Sequence, residues 1–175
     1  MGPVELIAPR GDLEFSHRAF VEEFRERGEE LVPWVLGEPS SDFAEYAARL
    51  NAAAKGIGLA PGLVPHSTFW LLDGAGEIVA VSNLRHALTD YLLEWGGHIG
   101  YGVRPSMRGK GYATEILRRT LKEAHAIDLR KVRIVCDKDN TASARVILRN
   151  GGQLDDEQPM PGQRRIVSRY WVSLR

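Results

Sequence analysis

Arg108-Gly109-Lys110-Gly111-Tyr112-Ala113 is the stretch whose residue types and spacing point most directly to chemistry. Glycines at alternate positions let a backbone turn tightly and bring its N–H groups close to a ligand. The amphipathic run that follows predicts a helix, with unpaired N–H groups and the positive end of its dipole at the start. Together these make a cradle for phosphate or pyrophosphate, to which Arg108 and Lys110 add full charge. The common phosphate loops fit badly. The pattern G-x-x-x-x-G-K-[ST] fails because Tyr112 and Ala113 follow Gly111 and no Ser or Thr follows Lys110 in register. No G-x-G-x-x-G opens a first βαβ unit with an acidic residue about 20 positions later. A nucleoside triphosphatase or a dinucleotide enzyme is therefore disfavoured.

The elements that must position this turn follow from periodicity. Val4–Ala8 reads as a short strand. A helix from Asp12 carries Leu13, Phe20, Val21 and Phe24, and a second helix opens at Asp42, with Glu45 three residues on as a capping pair. Residues 56–66 form a Gly/Pro-rich loop, either a plain connection or one lying over a site. Ser67–Leu72 and Glu77–Leu84 flank Asp73-Gly74-Ala75-Gly76 as a hairpin, and His98–Val103 is a third strand stopped by Pro105. Thr114–Ala126 is a strong amphipathic helix, Lys131–Asp137 an alternating strand and Thr141–Arg149 a short helix ended by Gly151-Gly152. Ile166–Leu174 is a last strand. The order predicts a mixed α/β sheet in one domain.

Composition bounds the rest. The chain has 175 residues, 43% of them hydrophobic, with 23 basic and 23 acidic side chains. One domain of this size buries enough surface to fold without disulfides or metal. Its single cysteine cannot close a disulfide or build a thiolate zinc site, so a reducing, cytoplasmic setting is expected. Cys136 alternates with Val132 and Ile134 and reads as a buried small hydrophobe. No His or carboxylate cluster has ligand spacing, so no metal is expected. Zero net charge removes the global basic footprint of a nucleic-acid binder, and no apolar run suits a membrane span. The neutrality is a sum of opposites. Residues 1–50 hold 11 acidic and 5 basic side chains, while 104–149 hold 12 basic and 5 acidic ones.

The strand at 98–103, then Arg-x-x-G-x-A at Arg108, Gly111 and Ala113, then a helix, resembles the acyl-CoA motif of the GNAT superfamily of N-acetyltransferases. Asn140-Thr141-Ala142-Ser143, its helix and Gly151-Gly152 resemble that family's next motif. Pro65–Trp70, Leu84-Arg85-His86 and Gly96–Tyr101 are similar to recurring phrases of a less characterised bacterial branch. The resemblance implies a single-domain GNAT fold, a mixed and mostly antiparallel sheet flanked by helices. Within it, residues 1–97 would form the acceptor side, 98–152 the acetyl-CoA motifs and 153–175 a C-terminal strand region.

It further implies that the N–H groups of Arg108, Gly109, Lys110, Gly111, Tyr112 and Ala113, with Thr114, hold the CoA pyrophosphate. Backbone groups around Val103 would pair with the pantetheine arm and polarise the thioester carbonyl. Asn140 would bond the pantetheine region or cap its helix, or both. Ser143 and Arg145 would lie near the nucleotide end. The implied reaction moves acetyl from acetyl-CoA to a primary amine of a small molecule or peptide, and homodimers are common among such proteins. His98 is the first candidate general base, with a buried backbone-bonded histidine as the alternative, and Glu94 is the second. The family's usual acid, a Tyr seven positions after the Asn, is replaced by Ile147, leaving Tyr101, Tyr112, water or no acid. A non-catalytic acyl-CoA binder or sensor, and a nucleic-acid-binding module using the basic 104–149 region, are the alternatives. The acceptor and the acyl length stay open.

Overall fold

Hydrophobic alternation and a tight turn build the first sheet. In the computed structural model, which describes residues 2–37 and 42–174, β2 (His66–Leu72) and β3 (Ile78–Arg85) form an antiparallel hairpin. Its turn is fixed by the Asp73 side chain, which accepts from the N–H groups of Ala75 and Glu77. Short β1 (Glu5–Ile7) pairs with β2, and β4 (Ile99–Val103) pairs with β3, giving the order β1-β2-β3-β4.

A second sheet has the order β5-β7-β6, with β5 (Lys131–Asp137), β6 (Gln153–Pro159) and β7 (Ile166–Ser173) all antiparallel. The single sheet expected from sequence is thus two, and every ladder among the described residues is antiparallel. Strand β6 is also additional to the elements read from sequence. Its Gln-Leu-Asp-Asp-Glu-Gln-Pro is poor in β-formers and mostly exposed, and it survives as an edge strand through pairing with β7.

Four helices cover the sheets. The helix expected from Asp12 begins with a 3₁₀ turn at Gly11–Leu13 and continues as α1 (Glu14–Glu26). Asp42 caps α2 (Phe43–Ala53), accepting from the Glu45 N–H at 3.0 Å. These two helices enclose Phe20, Phe24, Tyr46, Leu50 and Trp70 against the first sheet. Helix α3 (Tyr112–Ala126) packs chiefly on β3 and β4, and with α4 (Thr141–Arg149) it encloses a second cluster, Leu84, Leu117, Leu121, Ile134, Ile147 and Tyr170, to which both sheets contribute. A third cluster joins Val79 and Val103 to Tyr112 and Ile116, and so anchors the start of α3 beneath β4.

Three histidines sit inside. His17 lies among the rings of Phe43, Tyr46 and Trp70, at 5.1, 5.2 and 5.5 Å between centroids. Burial pushes the pKa of His17, His66 and His98 down to about 4. Their unfolded value is about 6.5, so between these limits the unfolded chain binds more protons than the folded one. Stability contributed by the neutral rings is present above pH 6.5 and is lost as pH falls towards 4. At pH 5 unfolding should take up nearly three protons from these groups, roughly one each. Melting temperature measured from pH 7 to 4.5 should fall accordingly, and a flat profile would contradict the buried neutral state.

Candidate active site

The two sheets meet where β4 begins. The His98 N–H donates to the Arg133 carbonyl at 2.7 Å, and the Arg133 N–H donates to His98 Nδ1 at 2.9 Å. Gly97 makes the approach possible. Its φ is +65°, and a Cβ there would stand 2.7 Å from the Arg133 oxygen. Beyond this junction no ladder joins β4 to β5. The Arg85 N–H bonds the His98 carbonyl and the Arg104 N–H bonds the Val79 carbonyl. Antiparallel alternation therefore aims the main-chain groups of Ile99, Tyr101 and Val103 away from β3, towards the gap. The same alternation on β5 aims Val135 into it from the other side.

The gap leads into the glycine turn. Gly109 and Gly111 have φ of +77° and +91°, and Gly111 is the N-cap of α3 with no side-chain bond to the helix. The first N–H groups of α3, from Tyr112 to Thr114, are therefore uncapped by any side chain, at the end of a 15-residue helix. Tyr112 and Ala113 pack on the third core cluster, which fixes their direction. Lys110 is exposed. The Arg108 guanidinium is instead engaged, in a bidentate pair with Glu29 at 2.9 and 2.6 Å and over the Phe24 ring. Arg104 likewise pairs with Glu23, which also accepts from the N–H and Oγ of Ser106. Part of the opposed charge of the two segments thus ties α1 to this turn.

On the far side, Asn140 caps α4 by accepting from the Ser143 N–H at 3.0 Å. Ser143 Oγ lies 2.7 Å from the Tyr101 hydroxyl, which bridges β4 to α4. Burial holds the Tyr101 phenol above its ordinary pKa, so it is a neutral donor at physiological pH. Arg145 is exposed. Ile147 is fully buried in the core, and a Cβ at Gly152 would collide with it, so that position supplies packing and no proton. Tyr112 is likewise buried at the cradle.

The catalytic candidates are both occupied. His98 is 7% exposed. Because Nδ1 accepts a backbone N–H, the neutral ring carries its proton on Nε2 and has no lone pair left for an incoming proton. Its pKa near 4 also makes it a weak base. The geometry favours the structural of the two readings of this residue. Glu94 lies on a π-helical turn, Leu92–Gly96, and its Oε2 pairs with Arg169, which in turn grips Asp156. Cys136 is half-buried and burial raises its thiol to about 11, which excludes a thiolate at neutral pH.

A cleft of about 390 Å³ opens at the other end of β4, walled by Trp34, Leu63, Val64, His66, Arg85 and Leu92. The loop at 62–64 therefore lies over a cavity. Arg85 was legible in the sequence only as part of a phrase, since one arginine at a strand end carries no signal of its own. Among the described residues no three His, Cys, Asp or Glu side chains are placed to hold a metal, and no helix is long and apolar enough to cross a membrane.

Two antiparallel sheets that part beside β4, with a glycine turn and an uncapped helix start at the open end, form the scaffold of the chain. A profile of the acetyltransferase (GNAT) domain matches residues 13–153, and the chain belongs to that family. The dodecameric spermidine N-acetyltransferase of Vibrio cholerae aligns with a TM-score of 0.64 at 18% identity, over 97% of this chain and 93% of the other. The same enzyme with CoA and spermine gives 0.62 at 18%, over 97% and 95%. A protein assigned as a phosphinothricin N-acetyltransferase gives 0.62 at 14%, over 99% of each chain. No curated protein matches significantly.

Proposed function

We propose that this protein is a cytoplasmic enzyme that transfers an acetyl group from acetyl-CoA to a primary amine of a small molecule or peptide. The observation that carries the reading is the continuity of a strand edge with no partner strand among the described residues at Tyr101 and Val103, where the Val103 carbonyl accepts only from Arg108 Nε at 3.3 Å, with the uncapped start of α3. A diphosphate suits the N–H groups from Gly109 to Thr114, and an amide-bearing arm suits the free edge of β4 as an added strand would. Acetyl-CoA, when bound, supplies an activated thioester. In this reading the Val103 region polarises the thioester carbonyl. Ser143 and Asn140 flank the arm, while Lys110 and Arg145 offer charge to the nucleotide end. Arg108 acts through its backbone, its side chain being held by Glu29.

An alkylamine of pKa near 10.4 arrives mostly protonated, so the site needs a proton acceptor. Glu94 retains that role through water, because its ion pair uses Oε2 alone and its side chain is 46% exposed. His98 fastens the sheets. The test is free-thiol release from acetyl-CoA across a panel of amines. Release well beyond one equivalent of protein is expected with at least one acceptor. Binding of CoA with no turnover across the panel would leave the second reading, a non-catalytic acyl-CoA sensor, which the buried Ile147 favours.

A further inference from the structure

Arg85 is a cation without an anion. Its Nη1 donates to the carbonyls of Gly96 and Gly97 at 3.3 and 3.0 Å, and it has no carboxylate partner among the described residues. The other arginines of this region do have one: Arg104, Arg108, Arg133 and Arg169 pair with Glu23, Glu29, Asp155 and Asp156 respectively. A guanidinium carries five N–H donors in a fixed fork, so those of Nε and Nη2 remain for another acceptor. Burial pulls its pKa down, opposed only by the Tyr91 phenol and by no carboxylate. A half-buried, uncompensated charge is costly unless a ligand completes it.

This charge faces the 390 Å³ cleft. Among the described residues no Asp or Glu lines that wall. The nearest in sequence are Asp90, which is exposed, and Glu94, which is held by Arg169. His66 on the same wall is neutral at pH 7. The remaining surface is mainly apolar, from Trp34, Leu63, Val64 and Leu92. Its volume lies at the small end of ligand pockets.

Position connects the cleft to the acetyl group. The phosphate cradle follows the C-terminal end of β4, so a donor laid along the free edge carries its reactive end back towards the start of the strand. Arg85 bonds Gly96 and Gly97, immediately before that start. We propose that the acceptor is a small amine bearing a carboxylate and an apolar body, of the α-amino-acid class, with Arg85 binding the carboxylate in this cleft. A polycationic acceptor is disfavoured, because the described residues that line the wall offer it a like charge and no carboxylate. The proposal rests on the acetyltransferase reading given above.

The experiment compares leucine and phenylalanine with their carboxamides, their decarboxylated amines and spermidine, by thiol release from acetyl-CoA. The free acids should exceed the amides in kcat/KM by about 10-fold or more, a difference of roughly 1.4 kcal/mol. R85Q should erase that preference, chiefly through KM, and R85K should keep part of it. Equal rates for acid and amide, or a preference for spermidine, would overturn the carboxylate site while leaving acetyl transfer intact. R85Q also removes the bonds to Gly96 and Gly97, so the selectivity of the unmodified protein decides the matter if the variant does not fold. If no amine is acetylated, calorimetry of leucine against leucinamide with CoA present decides it. Binding of the acid alone supports the site, and binding of neither refutes it.

Discussion

Replacing Gly111 by valine is expected to weaken acetyl-CoA binding by about 10²- to 10⁴-fold while the protein still folds. Gly111 has φ of +91° and ψ of −5° and is exposed at the N-cap of α3. A β-branched residue cannot take this conformation without a cost of order 1–3 kcal/mol. The turn would relax instead, and the N–H groups of Tyr112 to Thr114 would lose their common aim. Each charge-assisted bond from such a group contributes about 1.5–3 kcal/mol, so misdirecting two accounts for the range. Melting temperature should fall only moderately, by roughly 2–12 °C at 2–4 °C per kcal/mol for a chain of this size. The control is Gly162→Val. Gly162 has φ of +72° and open space around it, in the turn between β6 and β7. It should show the strain without the loss of binding. Calorimetry with CoA reads both variants, and wild-type affinity in the Gly111 variant would move the cradle elsewhere.

That prediction was available from sequence because everything it needs is local. Two glycines, two cations and a helix start lie within seven residues, and short-range geometry determines what their N–H groups do. The caps at Asp42 and Asn140 were legible for the same reason, each a side chain bonding an N–H three residues on. Features set by distant contacts were not legible. The junction between the sheets depends on Gly97 lying against Arg133, 36 positions away, and nothing in either segment announces it. Strand β6 was hidden by its Asp, Glu and Pro residues, because an edge strand needs only a willing neighbour.

Charge is the clearest case of partial legibility. The acidic N-terminal and basic central segments were visible as opposed totals, and the resemblance suggested cofactor and acceptor sides. Glu23 and Glu29 instead reach across about 80 positions to Arg104 and Arg108. Some of that charge is mortar between α1 and the turn. What remains available at the cradle is Lys110 and the helix N–H groups. Arg85 is the converse, a single residue whose meaning comes wholly from what its surroundings lack.

Replacing His98 by alanine separates the two roles this residue was read to have. As a general base, its loss would cost roughly 10²-fold or more in kcat with little change in stability, and the acid limb of the pH–rate profile would move. As the fastener between the sheets, its loss leaves the Arg133 N–H buried without a partner, at about 1–3 kcal/mol. Removing a buried imidazole from beside β5 adds roughly another 1–2 kcal/mol of lost packing. The geometry predicts the second pattern: a melting temperature lowered by about 5–15 °C, and a kcat within a few-fold of wild type below the transition. The pH–rate profile should keep its shape, because a ring whose pKa lies near 4 does not titrate where the enzyme would work. The acid-stability profile should change in the same variant, since one of the three protons taken up on unfolding disappears with the ring. His98→Asn refines the test. Its side-chain oxygen can accept from the Arg133 N–H, so part of the lost stability should return, although asparagine cannot act as a base. Recovery of stability together with activity identifies a fastener, while a stable but inactive asparagine variant would return His98 to catalysis.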